Sequence, residues 1–465
     1  MPDLTCDVAV IGAGTAGLAA ERAARDEGAE TRLIDPEFAG TVCAEVGCMP
    51  SKLLIAAAGA AEAVRDAETF GIRATPEIDG PAVMARVQNY RDQFVDGVQD
   101  SIDALPESVR IKARARFTSP NSLLLDDDRT ISARSVVVAT GSHPMVPDAY
   151  TDLGDRLLTN RTVFDLPRLP DRLAVVGSGA IGVELAQAFA RLGVEVALFE
   201  RGSVLSSGRT PEVKHALLAA LKRDMTVHLD ADPAPKVQHG KVEMHWENRC
   251  KTFDYILLAT GRPPTLDGLN LPATGARLDE KGRPDVNPST FQIGHLPVFM
   301  AGDATGNRPV LHEASTDGTI AGRNAARFPA VVASDPMVAF SLTFSDPPVA
   351  TIGDGPDTAT LTGSVSYAEQ GRARVEDKAH GLVQLHADGS GCLTGADLCA
   401  PAGEHLAHLI AWAIENRLTA HQVLGMPFYH PTLEEGLKDA LREICAQSGT
   451  PAPENRDRAH APGDF

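Results

Sequence analysis

The stretch Val8-Ala9-Val10-Ile11-Gly12-Ala13-Gly14-Thr15-Ala16-Gly17 joins an apolar run to a glycine loop. The apolar run has the composition of a parallel strand that is buried on both faces. Glycines there let the backbone turn tightly and approach a pyrophosphate at the N-terminus of the next helix, which we expect over 18–27. After a second strand at 31–34, a carboxylate can accept hydrogen bonds from ribose hydroxyls. The pattern predicts a dinucleotide site formed by Gly12, Gly14, Gly17 and Asp35.

The same unit recurs later in the chain. Leu173-Ala174-Val175-Val176 precedes Gly177-Ser178-Gly179-Ala180-Ile181-Gly182, and we expect a helix to about 192 and a strand to 199. An acid again follows the first glycine at the same spacing. Two such units predict two bound dinucleotides, the second at Gly177, Gly179, Gly182 and Glu200.

Between the two units lies Gly40-Thr41-Val42-Cys43-Ala44-Glu45-Val46-Gly47-Cys48-Met49-Pro50-Ser51-Lys52. A disulfide across so short a loop would stabilise the fold by only about 2 kcal/mol. We therefore interpret Cys43 and Cys48 as a redox pair beside a cofactor. Two other interpretations are a pair of ordinary thiols and half of a metal site. A metal site needs about four ligands, and no Cys or His pair at metal spacing lies nearby in the sequence, so we predict no metal.

Composition limits the classes of function. The 465 residues include 43 basic and 62 acidic side chains, a formal net charge of −19, which argues against a nucleic-acid-binding face. We identify no signal peptide and no run of 18 apolar residues, so we expect a cytoplasmic chain that does not enter a membrane. The other cysteines are expected to be buried small hydrophobes: Cys6, Cys250, Cys392, Cys399 and Cys445.

Apolar periodicity predicts the remaining elements. Helices are expected over 52–66, 80–105, 313–328, 403–417 and 432–446. Strands are expected at 108–117, 122–126, 135–139, 255–258, 297–303, 347–353, 381–387 and 392–398. Within the second helix we expect one apolar stripe to pack into the core: Val83, Met84, Val87, Tyr90, Phe94, Val98 and Ile102.

Over nearly all of residues 5–446 the chain resembles the disulfide-reductase family of flavoproteins, which includes dihydrolipoyl dehydrogenase, glutathione reductase and mercuric reductase. The resemblance rests on motifs in the family's order: G-A-G-T-A-G, C-A-E-V-G-C-M-P-S-K, A-T-G, G-S-G-A-I-G-V-E, A-T-G-R, A-G-D and Y-H-P-T-L-E-E. It implies an α/β fold with two Rossmann-like dinucleotide-binding domains, for FAD and for NAD(P), and an α+β C-terminal dimerisation domain. The implied divisions are 1–145 for FAD, 146–266 for NAD(P), 267–338 as a central segment returning to the FAD domain, 339–447 for dimerisation and 448–465 as a flexible tail.

The resemblance also implies a chemistry. Cys48 lies against the flavin, and Cys43 exchanges electrons with a substrate disulfide or dithiol. His430 reaches the dithiol of the other subunit as the acid/base, Glu435 orients it, and Pro431 is placed to start a helix. Further cofactor-binding positions carried over from the family are Lys52, Ala115, Thr140, Gly141, Ser142, Glu184, Gly261, Asp303 and Leu311.

The nicotinamide and the substrate are less sharply specified. Glu200 favours NAD, because a 2′-phosphate about 6 Å away would be repelled by about 3 kcal/mol; Arg201 keeps NADP possible. A small-molecule or carrier-bound dithiol is expected, with dihydrolipoamide the best match. Glutathione-reductase-like and mercuric-reductase-like enzymes are the alternatives, although the tail holds no Cys-Cys pair and the N-terminus no C-x-x-C domain. A redox sensor without turnover is the non-enzyme alternative.

Four positions depart from the family pattern. The redox loop carries Thr41-Val42 where the family usually has Gly-Thr, and Glu45 stands where Asn is frequent. Tyr429 replaces a smaller residue before His430. We therefore expect a disulfide pocket of altered shape.

Overall fold

The computed structural model describes residues 3–451 and 453. Most of the predicted tail, 448–465, lies outside these residues, as do Met1 and Pro2. Within the described part of the chain, three large sheets and one small hairpin sheet carry the helices.

The first sheet is built around the first glycine unit. Its strands run in the order β3-β2-β1-β6-β5-β4, and β15 pairs with the C-terminal half of β6. They are β1 (Leu4–Ile11), β2 (Thr31–Ile34), β3 (Arg110–Ile111), β4 (Ala115–Ser119), β5 (Ser122–Leu125), β6 (Thr130–Val138) and β15 (Val298–Met300). β1 pairs in parallel with β2 and β6, which confirms the predicted strand–loop–helix–strand order.

Helices α1 (Thr15–Asp26) and α7 (Leu311–Arg327) pack together on one face of this sheet. Their axes come close at Gly318 and Gly322, where a Cβ atom would lie 2.2 and 2.1 Å from the carbonyl oxygens of Ala16 and Ala20. Only glycine permits this approach without a shift of the backbone.

The second glycine unit forms a separate sheet in the order β10-β9-β8-β14-β7. These strands are β7 (Leu157–Leu158), β8 (Arg172–Val176), β9 (Glu195–Phe199), β10 (Thr226–His228) and β14 (Tyr255–Leu258), with helices α5 (Ala180–Arg191) and α6 (Pro211–Asp224). An antiparallel sheet absent from our predictions joins β11 (Ala234–Gln238), β12 (Lys241–Trp246) and β13 (Arg249–Phe253).

The C-terminal part of the described chain is a mixed layer of sheet and helices. The sheet order is β16-β17-β20-β19-β18, all antiparallel. Its elements are β16 (Phe340–Thr343), β17 (Val349–Gly353), β18 (Leu361–Ser366), α8 (Gly371–Val375), β19 (Leu382–Ala387), β20 (Leu393–Cys399), α9 (Gly403–Glu415), α10 (Ala420–Leu424) and α11 (Leu437–Gln447). The fold class predicted from the sequence is therefore confirmed, while β16 and β18 were missed.

The redox loop folds into two helices, α2 (Val42–Glu45) and α3 (Cys48–Asp66), which pack on α4 (Gly80–Asp103). The prediction that the whole apolar stripe of α4 is core was wrong. Met84, Val87 and Ile102 are buried, but the rings of Tyr90 and Phe94 are 43% and 39% exposed in the single chain.

One stretch within the described residues, Val42–Phe70, has the length and composition of a helix that could cross a membrane. The core helix of a soluble protein passes the same test. Here Leu54, Ala58 and Ala61 are buried in the main hydrophobic cluster. The stretch is also divided between α2 and α3.

The last predicted helix begins later than expected. Pro431 does not open it; a 3₁₀ turn covers Glu434–Gly436 and α11 follows. The Glu435 carboxylate instead accepts a hydrogen bond from the Thr432 N–H, which holds the preceding segment in a loop.

Candidate active site: two glycine loops and a dithiol

The first glycine loop has no room for side chains at two of its three glycines. Gly12 has φ +102°, and a Cβ there would lie 2.3 Å from the Ala139 carbonyl oxygen. A Cβ at Gly17 would lie 1.8 Å from the Gly12 carbonyl oxygen. At Gly14, in contrast, a Cβ would meet nothing within 4 Å, so the loop presents an open backbone surface at the start of α1.

This open surface fits an anionic group. Gly14 is the N-cap of α1 and offers no side-chain cap, and the first turn of the helix carries no acidic residue. The N-terminal N–H groups and the helix dipole therefore favour a phosphate. Asp35 closes the loop, because its Oδ2 accepts a 2.9 Å hydrogen bond from the Ala13 N–H. These residues fit the pyrophosphate and ribose of FAD.

The second glycine loop repeats this geometry. Gly177 also has φ +102°, and a Cβ there would lie 2.4 Å from the Ala259 carbonyl oxygen; at Gly182 a Cβ would lie 2.0 Å from the Gly177 oxygen. Gly179 caps α5 without a side-chain partner and faces open space. A cavity of about 450 Å³ lies against Gly179 and reaches Thr343 of β16. The loop and cavity fit a second dinucleotide.

Glu200 is held as a carboxylate beside the second loop. Its Oε2 accepts hydrogen bonds from the Ser178 N–H and hydroxyl and from the Ser206 hydroxyl, and its Oε1 accepts from the Gly202 N–H. Burial alone would raise the pKa of Glu200, but these hydrogen bonds outweigh burial and hold the pKa below its usual value. Arg201 extends towards Asp232, with 3.4 Å between guanidinium and carboxylate.

Cys43 and Cys48 of the redox loop are free cysteines, and each shifts the pKa of the other. The Cys43 thiol hydrogen-bonds to Cys48, and this contact lowers the pKa of Cys48 to about 7; burial opposes the shift and the charge of Lys52 adds to it. Cys48 is also the first residue of α3, where helix N–H groups favour a thiolate. The same contact and burial raise the pKa of Cys43. Cys48 therefore ionises before Cys43.

An ion pair supports the dithiol from α5. Lys52 Nζ lies 2.9 Å from Glu184 Oε2, although the two residues are 132 positions apart. Glu184 is buried, and its Oε1 accepts a 2.8 Å hydrogen bond from the Phe344 N–H. Lys52 Nζ also lies 4.1 Å from the centroid of the Phe344 ring. The structure thus brings together Lys52 and Glu184, two of the cofactor-binding positions carried over from the family resemblance.

A second polar group lies at the end of β15. The Ser142 hydroxyl donates a 2.6 Å hydrogen bond to Asp303 Oδ2, and the Arg262 side chain donates to the Ser142 hydroxyl at 3.1 Å. Burial lowers the pKa of Arg262, and the neighbouring Asp303 partly offsets this. The Thr140 hydroxyl donates to the Thr265 carbonyl, which ties this group to the loop that follows β14.

The remaining predicted cofactor positions are Ala115, Leu311, Gly141 and Gly261. Ala115 is the first residue of β4, and Leu311 is the first residue of α7, whose N-cap makes no side-chain hydrogen bond. Gly141 and Gly261 have φ +69° and +136°, and the Gly141 carbonyl accepts from the Thr265 N–H.

His430 and Glu435 are brought together as predicted. His430 Nδ1 lies 2.9 Å from Glu435 Oε2. The His430 side chain is 67% exposed on the C-terminal layer, and the neighbouring Tyr429 is 83% exposed. The meeting of His430 with the dithiol of a second chain stays a prediction.

Sequence reasoning missed several supporting residues. Arg262 was visible in the A-T-G-R motif, but nothing in the sequence distinguishes Phe344 or Ser206. Sequence reasoning also missed a buried hydrogen-bond network around Asp397. Arg209 Nε donates to both carboxylate oxygens of Asp397 at 3.0 Å. Asp397 Oδ2 also lies 2.9 Å from Nε2 of His386, which is fully buried. Arg209 lines the cavity of the second loop, so this network ties that loop to the C-terminal sheet.

Comparison with known proteins gives consistent matches. The family model described as pyridine nucleotide-disulphide oxidoreductase matches residues 6–318, and the model of that family's dimerisation domain matches residues 339–441. A mercuric reductase from Acidithiobacillus ferrooxidans is 32% identical over 94% of this chain and 82% of its own length. A dihydrolipoyl dehydrogenase from Bacillus subtilis is 29% identical over 93% of this chain and 97% of its own length.

Solved structures share the fold. LpdA from Mycobacterium tuberculosis aligns with a TM-score of 0.82 at 24% identity, covering 94% of this chain and 99% of that one. The HOCl-induced flavoprotein disulfide reductase RclA from Escherichia coli aligns with a TM-score of 0.80 at 21% identity, with the same coverage.

Proposed function

The chain belongs to the pyridine nucleotide-disulphide oxidoreductase family, and from that premise we propose that it exchanges electrons between NAD and a dithiol or disulfide substrate through Cys43 and Cys48. The family binds FAD and depends on NAD(P). The observation that carries the proposal is the position of Cys48 at the start of α3 beside Cys43 and Lys52, both of which lower the pKa of its thiol. Thiolate is the form that attacks and leaves in disulfide exchange.

The chain's own residues account for where each cofactor would lie. Gly12, Gly14, Gly17 and Asp35 would hold the FAD pyrophosphate and ribose, and Lys52 and Asp303 would border its ring and ribityl chain. FAD supplies two-electron chemistry that links a nicotinamide to a dithiol.

Two thiol–disulfide exchange steps transfer electrons from the substrate dithiol to the Cys43–Cys48 disulfide. A substrate thiolate attacks Sγ of Cys43 in the Cys43–Cys48 disulfide, and Cys48 leaves as a thiolate that Lys52 stabilises. The second substrate thiol then attacks the mixed disulfide, which releases the oxidised substrate and a Cys43 thiolate. His430 of the partner subunit takes the substrate proton and returns it to Cys43. Glu435 holds His430 Nδ1, which fixes the tautomer.

This scheme needs two chains. The match to the dimerisation domain supports a homodimer, and we propose that its active site is shared between the subunits. We also propose the domain divisions 1–145, 146–266, 267–338 and 339–447. They are supported by the separate sheets and by β15, which returns the central segment to the first sheet.

For the nicotinamide we propose NAD over NADP. The hydrogen-bond donors to the Glu200 carboxylate are the uncharged groups of Ser178, Gly202 and Ser206, so a 2′-phosphate would be repelled by its negative charge. Arg201, the residue that could favour NADP, extends towards Asp232.

For the substrate we propose dihydrolipoamide, as for the dihydrolipoyl dehydrogenases that match over more than nine-tenths of the chain. We also propose a cytoplasmic location. A second candidate is Hg²⁺ reduction, because mercuric reductases match at 32% identity. Steady-state oxidation of NADH and NADPH with lipoamide, glutathione, cystine and Hg²⁺ separates these substrates. The proposal predicts the highest kcat/KM with NADH and lipoamide; preference for Hg²⁺ or glutathione would overturn the substrate assignment.

Two variants test the proposed roles. His430→Ala should slow lipoamide turnover by about 10² to 10⁴ while leaving reduction of the flavin by NADH unchanged. Glu435→Gln should shift the pH profile of turnover, whereas its neighbour control Glu434→Gln should not. Unchanged turnover in His430→Ala would remove that residue from the scheme.

A further inference from the structure

The outer face of the small hairpin sheet carries a cluster of ligand-type side chains. Strand β12 alternates, so Val242, Met244 and Trp246 are buried while Glu243 and His245 point to the opposite face. The register places Cys250 of β13 directly across from His245. Directly opposed residues in an antiparallel pair share a face, and this brings a carboxylate, an imidazole and a thiol together.

Cys250 corrects a sequence-based expectation. It was expected to be a buried small hydrophobe, as Cys399 and Cys445 are, but it is exposed, while Cys6 and Cys392 are partly exposed. The position of the Cys250 thiol is set by the pairing of β13 with β12, and our sequence analysis did not predict this pairing.

Two separations in the cluster are close to those of metal ligands. His245 Nε2 lies 3.4 Å from Glu243 Oε2 and 3.8 Å from Cys250 Sγ, and the three ligand atoms lie within 4.8 Å of one another. Tetrahedral zinc with ordinary bond lengths places nitrogen and oxygen ligands about 3.4 Å apart and nitrogen and sulfur ligands about 3.6 Å apart. The side chains need only small movements to enclose a cation.

Hydrogen bonding alone accounts for the cluster less well. Nε2 of a neutral imidazole either donates or accepts, so one tautomer satisfies only one of the contacts, to Glu243 or to Cys250. A cation bound between the three atoms satisfies a lone pair on each of them at once.

We propose that Glu243, His245 and Cys250 form a binding site for a borderline-soft divalent cation such as Zn²⁺, separate from the dithiol. Thiolate and imidazole ligands favour Zn²⁺ over Mg²⁺ or Ca²⁺. Binding releases the Cys250 proton to solvent, and the exposure of the face leaves a fourth position for water. Our prediction of no metal considered only the region near the Cys43–Cys48 loop.

The test measures zinc in the FAD-loaded full chain by equilibrium dialysis. A Cys43→Ser/Cys48→Ser background removes the other thiol pair from the measurement. Adding Cys250→Ala should remove one bound zinc per chain, and Cys250→His, which restores a ligand, should recover it. The matched control Cys392→Ser should keep the zinc. Equal zinc with and without Cys250, or equal loss in the Cys392→Ser control, would overturn the proposal.

A second measurement identifies the atoms that coordinate the zinc. X-ray absorption at the zinc edge, in the same background, should show one sulfur at about 2.3 Å together with nitrogen and oxygen at about 2.0 to 2.2 Å. A shell without sulfur would overturn the site. FAD content and circular dichroism of each variant check that the fold is retained.

Discussion

Replacing Cys43 by alanine should raise the pKa of Cys48, because the Cys43 thiol provides the largest stabilisation of the Cys48 thiolate. With that donor present, the Cys48 pKa is lowered from its ordinary 9.0 to about 7. Without it, burial raises the pKa and only the charge of Lys52 and the helix N-terminus oppose burial. The pKa should therefore return to about 9 or above.

The change in thiolate is large at neutral pH. A group with a pKa of about 7 is about half ionised at pH 7, and one with a pKa of about 9 is about 1% ionised. Alkylation of Cys48 at pH 7 should therefore slow by about 50-fold in Cys43→Ala. Cys43→Ser keeps a hydroxyl donor at the same position, so we expect most of the lowered pKa to remain.

The assay follows reduced enzyme with iodoacetamide across pH, and mass spectrometry assigns each alkylated peptide. Peptide mapping separates Cys48 from the exposed Cys250. If the alkylation rate of Cys48 in Cys43→Ala still rises near pH 7, the hydrogen bond from Cys43 is not the cause of the lowered Cys48 pKa. A Cys43→Ser profile shifted as far as that of the alanine variant would refute it as well.

Three further predictions concern charged groups. Lys52→Met leaves the buried Glu184 carboxylate without its 2.9 Å ion-pair partner. We expect it to lower the free energy of unfolding, measured by urea denaturation, by about 2 kcal/mol, since the partial exposure of Lys52 reduces the effect. Adding Glu184→Gln should recover most of this loss. Asp397→Ala removes the carboxylate partner of Arg209, and we expect it to lower the free energy of unfolding by about 3 kcal/mol, measured in the same way against wild type. Burial raises the pKa of Asp317 from 3.8 to about 7, so its contribution to stability is present at acidic pH and lost as pH rises towards 7. Asp317→Asn should therefore raise Tm more at about pH 8 than at about pH 4; an equal effect at both would contradict this.

The two glycine units could be predicted from the sequence because every part of the unit is local. Strand, loop, helix and acid follow one another within about 30 residues, and the backbone clashes at Gly12 and Gly177 explain why glycine is required there. The order of the central strands of both parallel sheets follows directly.

The ion pair of Lys52 with Glu184 depends on contacts that the sequence does not reveal locally. The two residues are 132 positions apart, and each was predicted to bind cofactor only from the family resemblance. Phe344, which contacts both, lies between strands and has no motif. Nothing in residue order shows which chain segments meet at the end of a sheet.

The errors have physical causes as well. Tyr90 and Phe94 satisfy the helical spacing of a core stripe, but α4 turns that part of its surface away from the core of the single chain. Cys250 was assigned from composition alone, whereas the alternation of Val242, Met244 and Trp246 marks a strand and its exposed face.

The central claim is that Cys43 and Cys48 carry the electrons taken from NADH. The direct measurement is alkylation of the air-oxidised holoenzyme before and after one equivalent of NADH without oxygen, with peptide mapping by mass spectrometry. Two electrons from NADH and protons from solvent convert one disulfide into two thiols, so we predict that Cys43 and Cys48 become alkylated only after NADH. If both thiols react equally without NADH, or if neither reacts after it, the claim is contradicted.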